Sequence, residues 1–117
     1  MVPLLLLLAA TLPNRVVPGG LGVQSGDCFA NLHDGDRFVR GEHYKSRFVF
    51  DGDYAFEVWY LGDGAGEGAY KRYGSQWCVI TRGGGVITET LLVQERVPRV
   101  VAHRLFELLE RKEGDHR

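Results

Sequence analysis

The stretch HYKSRFVFDGDYAFEVWYL, residues 43–61, decides the fold, because two alternating aromatic-rich runs flank the turn-forming sequence Asp51-Gly52-Asp53. This pattern is typical of a β-hairpin. A three-residue loop over 51–53 sorts the side chains into one aromatic and one amphipathic face, whereas a two-residue loop at Asp51-Gly52 scatters the aromatics. Cross-strand aromatic and opposite-charge pairs each contribute roughly 0.2–1 kcal/mol, so we predict the three-residue loop. Its pairs are Phe50 with Tyr54, Phe48 with Phe56, Ser46 with Val58, Tyr44 with Tyr60, Arg47 with Glu57 and Lys45 with Trp59.

Short apolar runs on either side of the hairpin predict further strands, separated by glycine. A short strand is expected at 37–40, and two more at 69–73 and 76–82, with Gly74-Ser75 as a bulge between them. The β-branched residues at 86–94 predict another strand. Residues 62–68, GDGAGEG, contain too many glycines for regular structure and are expected to form a mobile loop.

The C-terminal segment predicts an amphipathic helix that covers the aromatic face of the hairpin. Pro98 suits the first turn and Gly114 suits the end of the helix. The apolar stripe comprises Val97, Val101, Leu105, Leu108 and Leu109, with Val100 at its edge. It is expected to pack on Phe48, Phe50, Tyr54 and Phe56. The predicted class is therefore α+β, an antiparallel β-meander of about five strands packed on one face by a C-terminal α-helix.

The length of 117 residues predicts one folded domain with distinct flanking segments. They are an apolar leader at 1–13, a Gly/Pro-rich arm at 14–27, the α+β domain at 28–114 and a tail at 115–117. The leader is too short to span a bilayer, which takes roughly 20 residues. It suits a signal peptide that lacks a basic n-region, or else a first core element. We favour export, to a secreted or periplasmic location, over a cytoplasmic one.

Cys28 and Cys78 are the only cysteines in the sequence. In an exported chain they would form a disulfide between the arm and the fourth strand. In a cytosolic chain they would be small buried thiols. The four histidines show no ligand spacing around them, so no metal site is predicted.

Residues 64–69, GAGEGA, match a dinucleotide-binding fingerprint in form only. That motif requires a helix after the glycines, and a strand is expected here. The Asp-Gly sequences lack the spacing of a calcium loop and are read as turns. Net charge is −1, which gives no general attraction to nucleic acid or acidic membranes. No cofactor is predicted, and a non-catalytic role is favoured over an enzyme.

The first predicted function is a small protein-binding module of the inhibitor, immunity or host-interaction type. The register above places Trp59 and Lys45 on the sheet face opposite the helix, where an exposed Trp resembles an interface anchor. The competing interpretation is that the arm folds over this face and makes Trp59 part of the core. The candidate binding residues, which include the 62–68 loop and its flank, are Lys45, Trp59, Leu61, Asp63, Glu67 and Tyr70.

Two other functions are kept open. A helix-capped ligand cup or small enzyme would use His33, Asp34 and Glu89 as polar site groups, with His33 the best candidate for a general base. A single-strand nucleic-acid binder would stack bases on a sheet. The residues proposed for it are Tyr44, Trp59, Tyr60, Tyr70, Tyr73 and Trp77, with Lys45, Lys71 and Arg72. A transmembrane span is not expected, and an exposed strand edge would allow a homodimer.

Overall fold

Six antiparallel strands and two helices form the part of the chain that the structure, a computed structural model, describes, residues 23–114. The leader predicted at 1–13, residues 14–22 of the arm and the tail at 115–117 lie outside the described residues. The strands are β1 (Cys28–Phe29), β2 (Gly35–Val39), β3 (Glu42–Asp51), β4 (Tyr54–Leu61), β5 (Gly64–Tyr73) and β6 (Gln76–Gly83). The helices are α1 (Glu89–Gln94) and α2 (Arg99–Gly114).

The strands form one sheet in the order β1-β6-β5-β4-β3-β2, which confirms the predicted antiparallel α+β class. It has one strand more than the five expected. The five residues 30–34 connect β1 to β2, which lie at opposite edges. A flat sheet of this size would be about 24 Å wide, whereas the connection reaches about 20–22 Å. The sheet is accordingly curled.

Each face of the sheet has its own apolar core. On one face, which we call the helix face, both helices cover the strands. Its buried residues include Val49, Phe56, Val58 and Ala69 of the sheet with Leu92, Val97, Ala102, Leu105 and Leu109 of the helical segment. On the other, which we call the arm face, Val23 and Leu32 from the segments that flank β1 pack against the strands. This cluster comprises Val23, Phe29, Leu32, Phe48, Ala55, Tyr70 and Val79.

The register predicted for the central hairpin is wrong by one residue. Asp51 lies opposite Tyr54, so the loop is the two-residue sequence Gly52-Asp53. Gly52 has a φ of 59° at the first central position, as in a type II′ turn. This turn matches the twist of the strands, and that advantage outweighs the cross-strand pairs used to predict the register. Phe48 consequently faces Glu57 instead of Phe56.

The predicted C-terminal helix is present, but it covers a different set of side chains. Pro98 precedes α2, and its carbonyl accepts a hydrogen bond from the Ala102 amide at 2.9 Å. Because of the register shift, only Phe56 and Tyr54 of the four predicted aromatics contribute to the helix face. The other two, Phe48 and Phe50, point to the arm face, where Phe50 remains 43 % exposed.

The mobile loop predicted at 62–68 is also wrong. Gly62-Asp63 is a two-residue turn, and β5 begins at Gly64. A Cβ on Gly66 would lie 2.2 Å from the Gly83 carbonyl oxygen and 2.2 Å from Cζ2 of Trp59. The glycine at this position therefore allows close packing within a strand.

The strand predicted at 86–94 is instead the helix α1. The Thr88 side chain caps it by accepting a hydrogen bond from the Leu91 amide at 3.1 Å. Leu92 is fully buried on the helix face. A favourable cap and burial of one side of the segment outweigh its β-branched composition. The bulge predicted at Gly74-Ser75 is a hairpin turn.

We expect the Cys28–Cys78 disulfide, which attaches β1 to β6, to contribute strongly to stability. Replacing both cysteines with serine should lower the free energy of unfolding by about 2–4 kcal/mol, because the bond closes a loop of about 50 residues in the unfolded chain. Urea unfolding followed by tryptophan fluorescence measures the loss. The wild-type protein unfolded with a reductant should show a similar loss, and an unchanged midpoint in both would contradict the prediction.

Candidate functional site

A buried ion pair lies on the arm face between two strands that are not neighbours. Glu57 on β4 is fully buried, and the Arg82 side chain on β6 is 1 % exposed. Arg82 donates from Nε to Oε1 of Glu57 at 2.9 Å and from Nη2 to Oε2 at 3.3 Å, which is a bidentate arrangement. Gly68 of β5 lies between them, and a Cβ there would be 3.0 Å from Cγ of Arg82. The small residue on the intervening strand lets the two side chains meet.

Two tyrosines complete the hydrogen bonding of this pair. Tyr70 donates to Oε1 of Glu57 at 2.6 Å, and Tyr44 donates to Oε2 at 3.1 Å. Arg82 in turn donates to the tyrosine oxygens, at 3.1 Å for Tyr70 and 3.2 Å for Tyr44. The carboxylate thus accepts four hydrogen bonds, which matches its capacity. We call Tyr44, Glu57, Tyr70 and Arg82 the buried polar network.

A bulge in β6 places Arg82 in the network. Thr81 pairs with Ala69, but the next residue of β5, Tyr70, pairs with Val79, so Ile80 is the extra residue. Side chains three positions apart on a regular strand point to opposite faces. The bulge reverses the alternation, so that Val79 and Arg82 both point to the arm face. Nothing in the sequence marks Ile80 as a bulge.

Trp59 lies beside this network and is half-buried. The Arg82 guanidinium sits 5.1 Å from the centre of its ring, a cation–π contact. Its indole Nε1 is buried and has no hydrogen-bond partner among residues 23–114. The predicted interface anchor is therefore largely engaged inside the protein.

Burial raises the pKa of Tyr44 and of Tyr70 above their ordinary value, and the negative charge of Glu57 raises both further. Burial acts against the charge on Arg82, but its hydrogen bonds and attraction to Glu57 outweigh this and raise the pKa of Arg82. The network therefore holds a charged arginine and two neutral tyrosines at neutral pH.

The predicted binding residues do not share one surface. Tyr70 is in the core, and Glu67 accepts a hydrogen bond from the Ile87 amide at 2.6 Å. Lys45 pairs with Tyr60 and points to the helix face, whereas Trp59 points to the arm face. The one-residue register shift separates them, contrary to prediction. Leu61 is half-buried, and Asp63 is exposed in a turn.

The polar residues proposed for a ligand cup have separate surroundings. Asp34 accepts from the Phe48 amide at 2.8 Å and pairs with Lys112 at 2.7 Å. Glu89 lies on α1, 3.1 Å from His103, and His33 is exposed. Within residues 23–114, no three potential ligand side chains are grouped to hold a metal ion.

The aromatic and basic residues proposed to stack bases divide into several sites. Tyr44 and Tyr70 are buried in the network, and Tyr60 donates to Glu113 of α2 at 3.3 Å. Four other members, Lys71, Arg72, Tyr73 and Trp77, gather with Phe50 and Tyr54 at the tips of two hairpins, whereas Lys45 and Trp59 lie elsewhere. We call this surface the aromatic end, and it consists of Phe50, Tyr54, Lys71, Arg72, Tyr73 and Trp77.

Arg72 joins the two hairpin tips of the aromatic end. Its amide donates to the Asp53 carbonyl at 2.7 Å, and its guanidinium contacts the Asp53 carboxylate at 2.7 Å. On the arm face, Arg72 stacks on Trp77 at 5.5 Å, and Phe50 meets the same ring edge-on at 5.5 Å. These contacts hold the exposed aromatic side chains in place.

On the helix face of the aromatic end, Lys71 lies between two tyrosines. Its ammonium is 5.7 Å from the ring centre of Tyr54 and 5.1 Å from that of Tyr73. Tyr73 is 59 % exposed. Part of this site can be recognised from the sequence, because Lys71, Arg72, Tyr73 and Trp77 place basic and aromatic residues close together along the chain. The predicted register pairs Phe50 with Tyr54, whereas the observed register places Phe50 on the arm face beside Trp77 and Tyr54 on the helix face beside Lys71.

We expect the buried ion pair to be costly to break from one side. Arg82→Met should lower the free energy of unfolding by about 3–5 kcal/mol, because Glu57 is left as an unpaired buried charge. The double variant Glu57→Gln/Arg82→Met should recover part of that loss, since glutamine is neutral, its oxygen can accept a hydrogen bond from one tyrosine and its NH2 group can donate to the oxygen of the other. Urea unfolding measures all three proteins. A double variant no more stable than Arg82→Met would contradict this account.

Stability should fall above about pH 10, the ordinary tyrosine pKa. Because the pKa values of Tyr44 and Tyr70 are raised in the fold, the unfolded chain loses these protons first. Their contribution is complete below pH 10 and is lost as pH rises toward the folded pKa. Urea midpoints measured between about pH 9 and 11 should decline, and less steeply in Tyr44→Phe. An equal slope in the variant would rule out Tyr44 as a source.

Two further findings concern membrane-spanning helices and similarity to known proteins. No helix between residues 23 and 114 combines the length and apolar character needed to cross a membrane. The chain matches no protein-family model, and it has no significant match among curated proteins or solved structures. Its function must therefore be inferred from the chemistry of its own side chains.

Proposed function

We propose that this chain is a small non-catalytic protein-binding module, of the inhibitor, immunity or host-interaction type, that engages its partner through the aromatic end. The observation that carries the proposal is the set of exposed aromatic rings, stacked with Lys71 and Arg72, at two hairpin tips that Arg72 and Asp53 join. This location replaces the 62–68 loop and the Trp59 surface.

The composition of the aromatic end suits a binding hot spot. Tyr, Trp and Arg are the residues that most often carry binding energy at protein interfaces. The ring of Phe50 is 43 % exposed and that of Tyr73 is 59 % exposed, so a partner could bury additional apolar area on both. Because the rings are held by neighbours, less conformational entropy would be lost on binding.

Charge at this surface favours a protein over a nucleic acid. Arg72 is paired with Asp53, and Asp51 beside it is 3.8 Å from Arg104. Nucleic-acid binding depends on cations that neutralise phosphates, and carboxylates between those cations weaken it. Mixed charge around aromatic rings is instead common at protein interfaces.

Two observations support the other parts of the proposal. The Cys28–Cys78 disulfide is typical of an oxidising environment and so supports a secreted or periplasmic location. The Glu57 carboxylate, which could otherwise act as an acid or base, is fully hydrogen-bonded within the buried polar network. This supports a structural role for Glu57 and a non-catalytic role for the protein.

A ligand cup on the arm face is the second candidate, and one observation favours it. The indole Nε1 of Trp59 is a buried donor without an acceptor, and a bound ligand could supply one. The cup ranks second because the four members of the adjacent network already satisfy one another.

The proposed function is tested by removing two exposed rings. Immobilised protein would capture partners from an extract of its source, and mass spectrometry would identify them. The partner would then be produced pure and its Kd measured by calorimetry. We expect Phe50→Ala/Tyr73→Ala to weaken binding at least about tenfold, because both rings lie at the aromatic end.

Phe38→Ala is the matched control for this experiment. Phe38 is 76 % exposed, and it pairs with His43, seven residues before Phe50 on β3, which places it about 23 Å away. Its loss should leave the Kd unchanged. A partner whose affinity depends on Phe38 and is unaffected by the double variant would refute the aromatic end as the binding surface.

A further inference from the structure

A cleft of about 450 Å³ adjoins the aromatic end on the helix face. It lies between the β5–β6 hairpin and the C-terminal end of α1. Six of the residues that line it are Tyr54, Lys71, Tyr73, Ile80, Glu95 and Arg96. Three of these, Tyr54, Lys71 and Tyr73, also belong to the aromatic end, so the two surfaces are continuous.

The two cations of this cleft differ from five other cations in the described part of the chain that form ion pairs. Arg47, Arg72, Arg82, Arg104 and Lys112 each contact a carboxylate. Neither Lys71 nor Arg96 forms an ion pair with any described residue. Among the described residues that line the cleft, Glu95 is the one acid. Two cations and one carboxylate of the described part of the chain therefore line it.

The backbone at Arg96 gives a second reason to regard its side chain as available to a ligand. Arg96 follows the end of α1 and has a φ of 72°, in the left-handed region that favours glycine. Its amide donates to the Val93 carbonyl at 3.0 Å, which holds this conformation. Arginine is less stable than glycine in this conformation, and its guanidinium forms no ion pair within residues 23–114 that would offset the difference.

The side chains of the cleft suit a carboxylate on a short apolar stem. A guanidinium can bind a carboxylate through two parallel hydrogen bonds, and an ammonium adds a point charge. The rings of Tyr54 and Tyr73, together with Ile80, provide apolar surface for the methylene groups of a glutamate side chain. A protein segment bound at the aromatic end could extend such a side chain directly into the cleft.

We infer that this cleft binds a carboxylate, and that the carboxylate is the side chain of an acidic residue on the protein partner. The second half of this inference rests on the proposed function. The first half does not, and it can be tested without knowing the partner.

The test is a titration of the full chain, followed by amide chemical shifts in NMR spectra. The probe is N-acetyl-glutamate α-amide, and N-acetyl-glutamine α-amide is its neutral match. We expect saturable shifts at residues 71–73 and at Arg96 with the glutamate probe only. Equal shifts with the glutamine probe would overturn the inference, because they would show that charge is not recognised.

Two further probes separate the sources of the anion. N-acetyl-alanine presents a terminal carboxylate, and inorganic phosphate presents a different oxyanion. Tighter binding of the glutamate probe than of either would support the acidic side chain. Binding of N-acetyl-alanine alone would overturn the side-chain assignment in favour of a chain terminus, and tighter binding of phosphate would overturn the carboxylate assignment.

Arg96→Gly is the decisive variant. Glycine adopts a φ of 72° freely, so the urea midpoint should stay the same or rise while affinity for the glutamate probe falls at least tenfold. Arg40→Gly is its control, because Arg40 also has a positive φ, 51°, but lies in the β2–β3 turn. It should retain wild-type affinity. Unchanged affinity in Arg96→Gly would refute the inference.

The two proposals can fail separately. If Phe50→Ala/Tyr73→Ala abolishes partner binding while Arg96→Gly changes neither partner affinity nor probe affinity, the carboxylate cleft is wrong and the aromatic end stands. If the glutamate probe binds and its affinity depends on Arg96, but the partner's Kd is unchanged in Phe50→Ala/Tyr73→Ala, the carboxylate cleft stands and the proposed function is wrong.

Discussion

The buried ion pair between Glu57 and Arg82 is the interaction on which the arrangement of the sheet depends. Two charges removed from water are tolerated only with close geometry and complete hydrogen bonding. These conditions are met by a glycine at position 68, a bulge at Ile80 and two inward-pointing tyrosine hydroxyls. The pair thereby fixes how β4, β5 and β6 align. A shift of one residue in β4 or β6 would turn Glu57 or Arg82 to the other face and leave the remaining charge buried without its partner.

The same alignment determines what the protein presents to solvent. Because β4 and β5 are held in register, the tips of the β3–β4 and β5–β6 hairpins lie side by side and Arg72 reaches Asp53. The strand alignment that the buried polar network requires thus also places partly exposed aromatic rings at one end of the sheet. The packing of the interior and the position of the exposed rings are two results of one strand alignment.

Much of the fold could be predicted from local pattern, while the sites depended on relations between distant residues. The hairpin, the antiparallel class and the helix from Arg99 to Gly114 follow from alternation and from the 3.6-residue period. The predicted register is wrong because the turn is Gly52-Asp53, and a shift of one residue moves every side chain of a strand to the other face. The 62–68 run of glycines forms part of a strand because Gly66 and Gly68 leave room for the side chains of Trp59 and Arg82 on the two neighbouring strands, and this role depends on strand pairing. Glu57 and Arg82 are 25 residues apart, and no local signal links them.

The Cys28–Cys78 disulfide closes the chain that forms the sheet into a covalent ring. Cys28 and Cys78 enclose all four hairpin turns of the sheet, whereas both helices follow the ring. A protease that cuts one of those turns leaves its two fragments joined, and the hydrogen bonds of the sheet can hold them in their native positions. A cut at Gly84-Gly85 has a different result, since it frees a fragment carrying both helices and exposes the apolar residues beneath them. In an environment rich in proteases, the durability of this protein would accordingly be decided at a three-glycine connection.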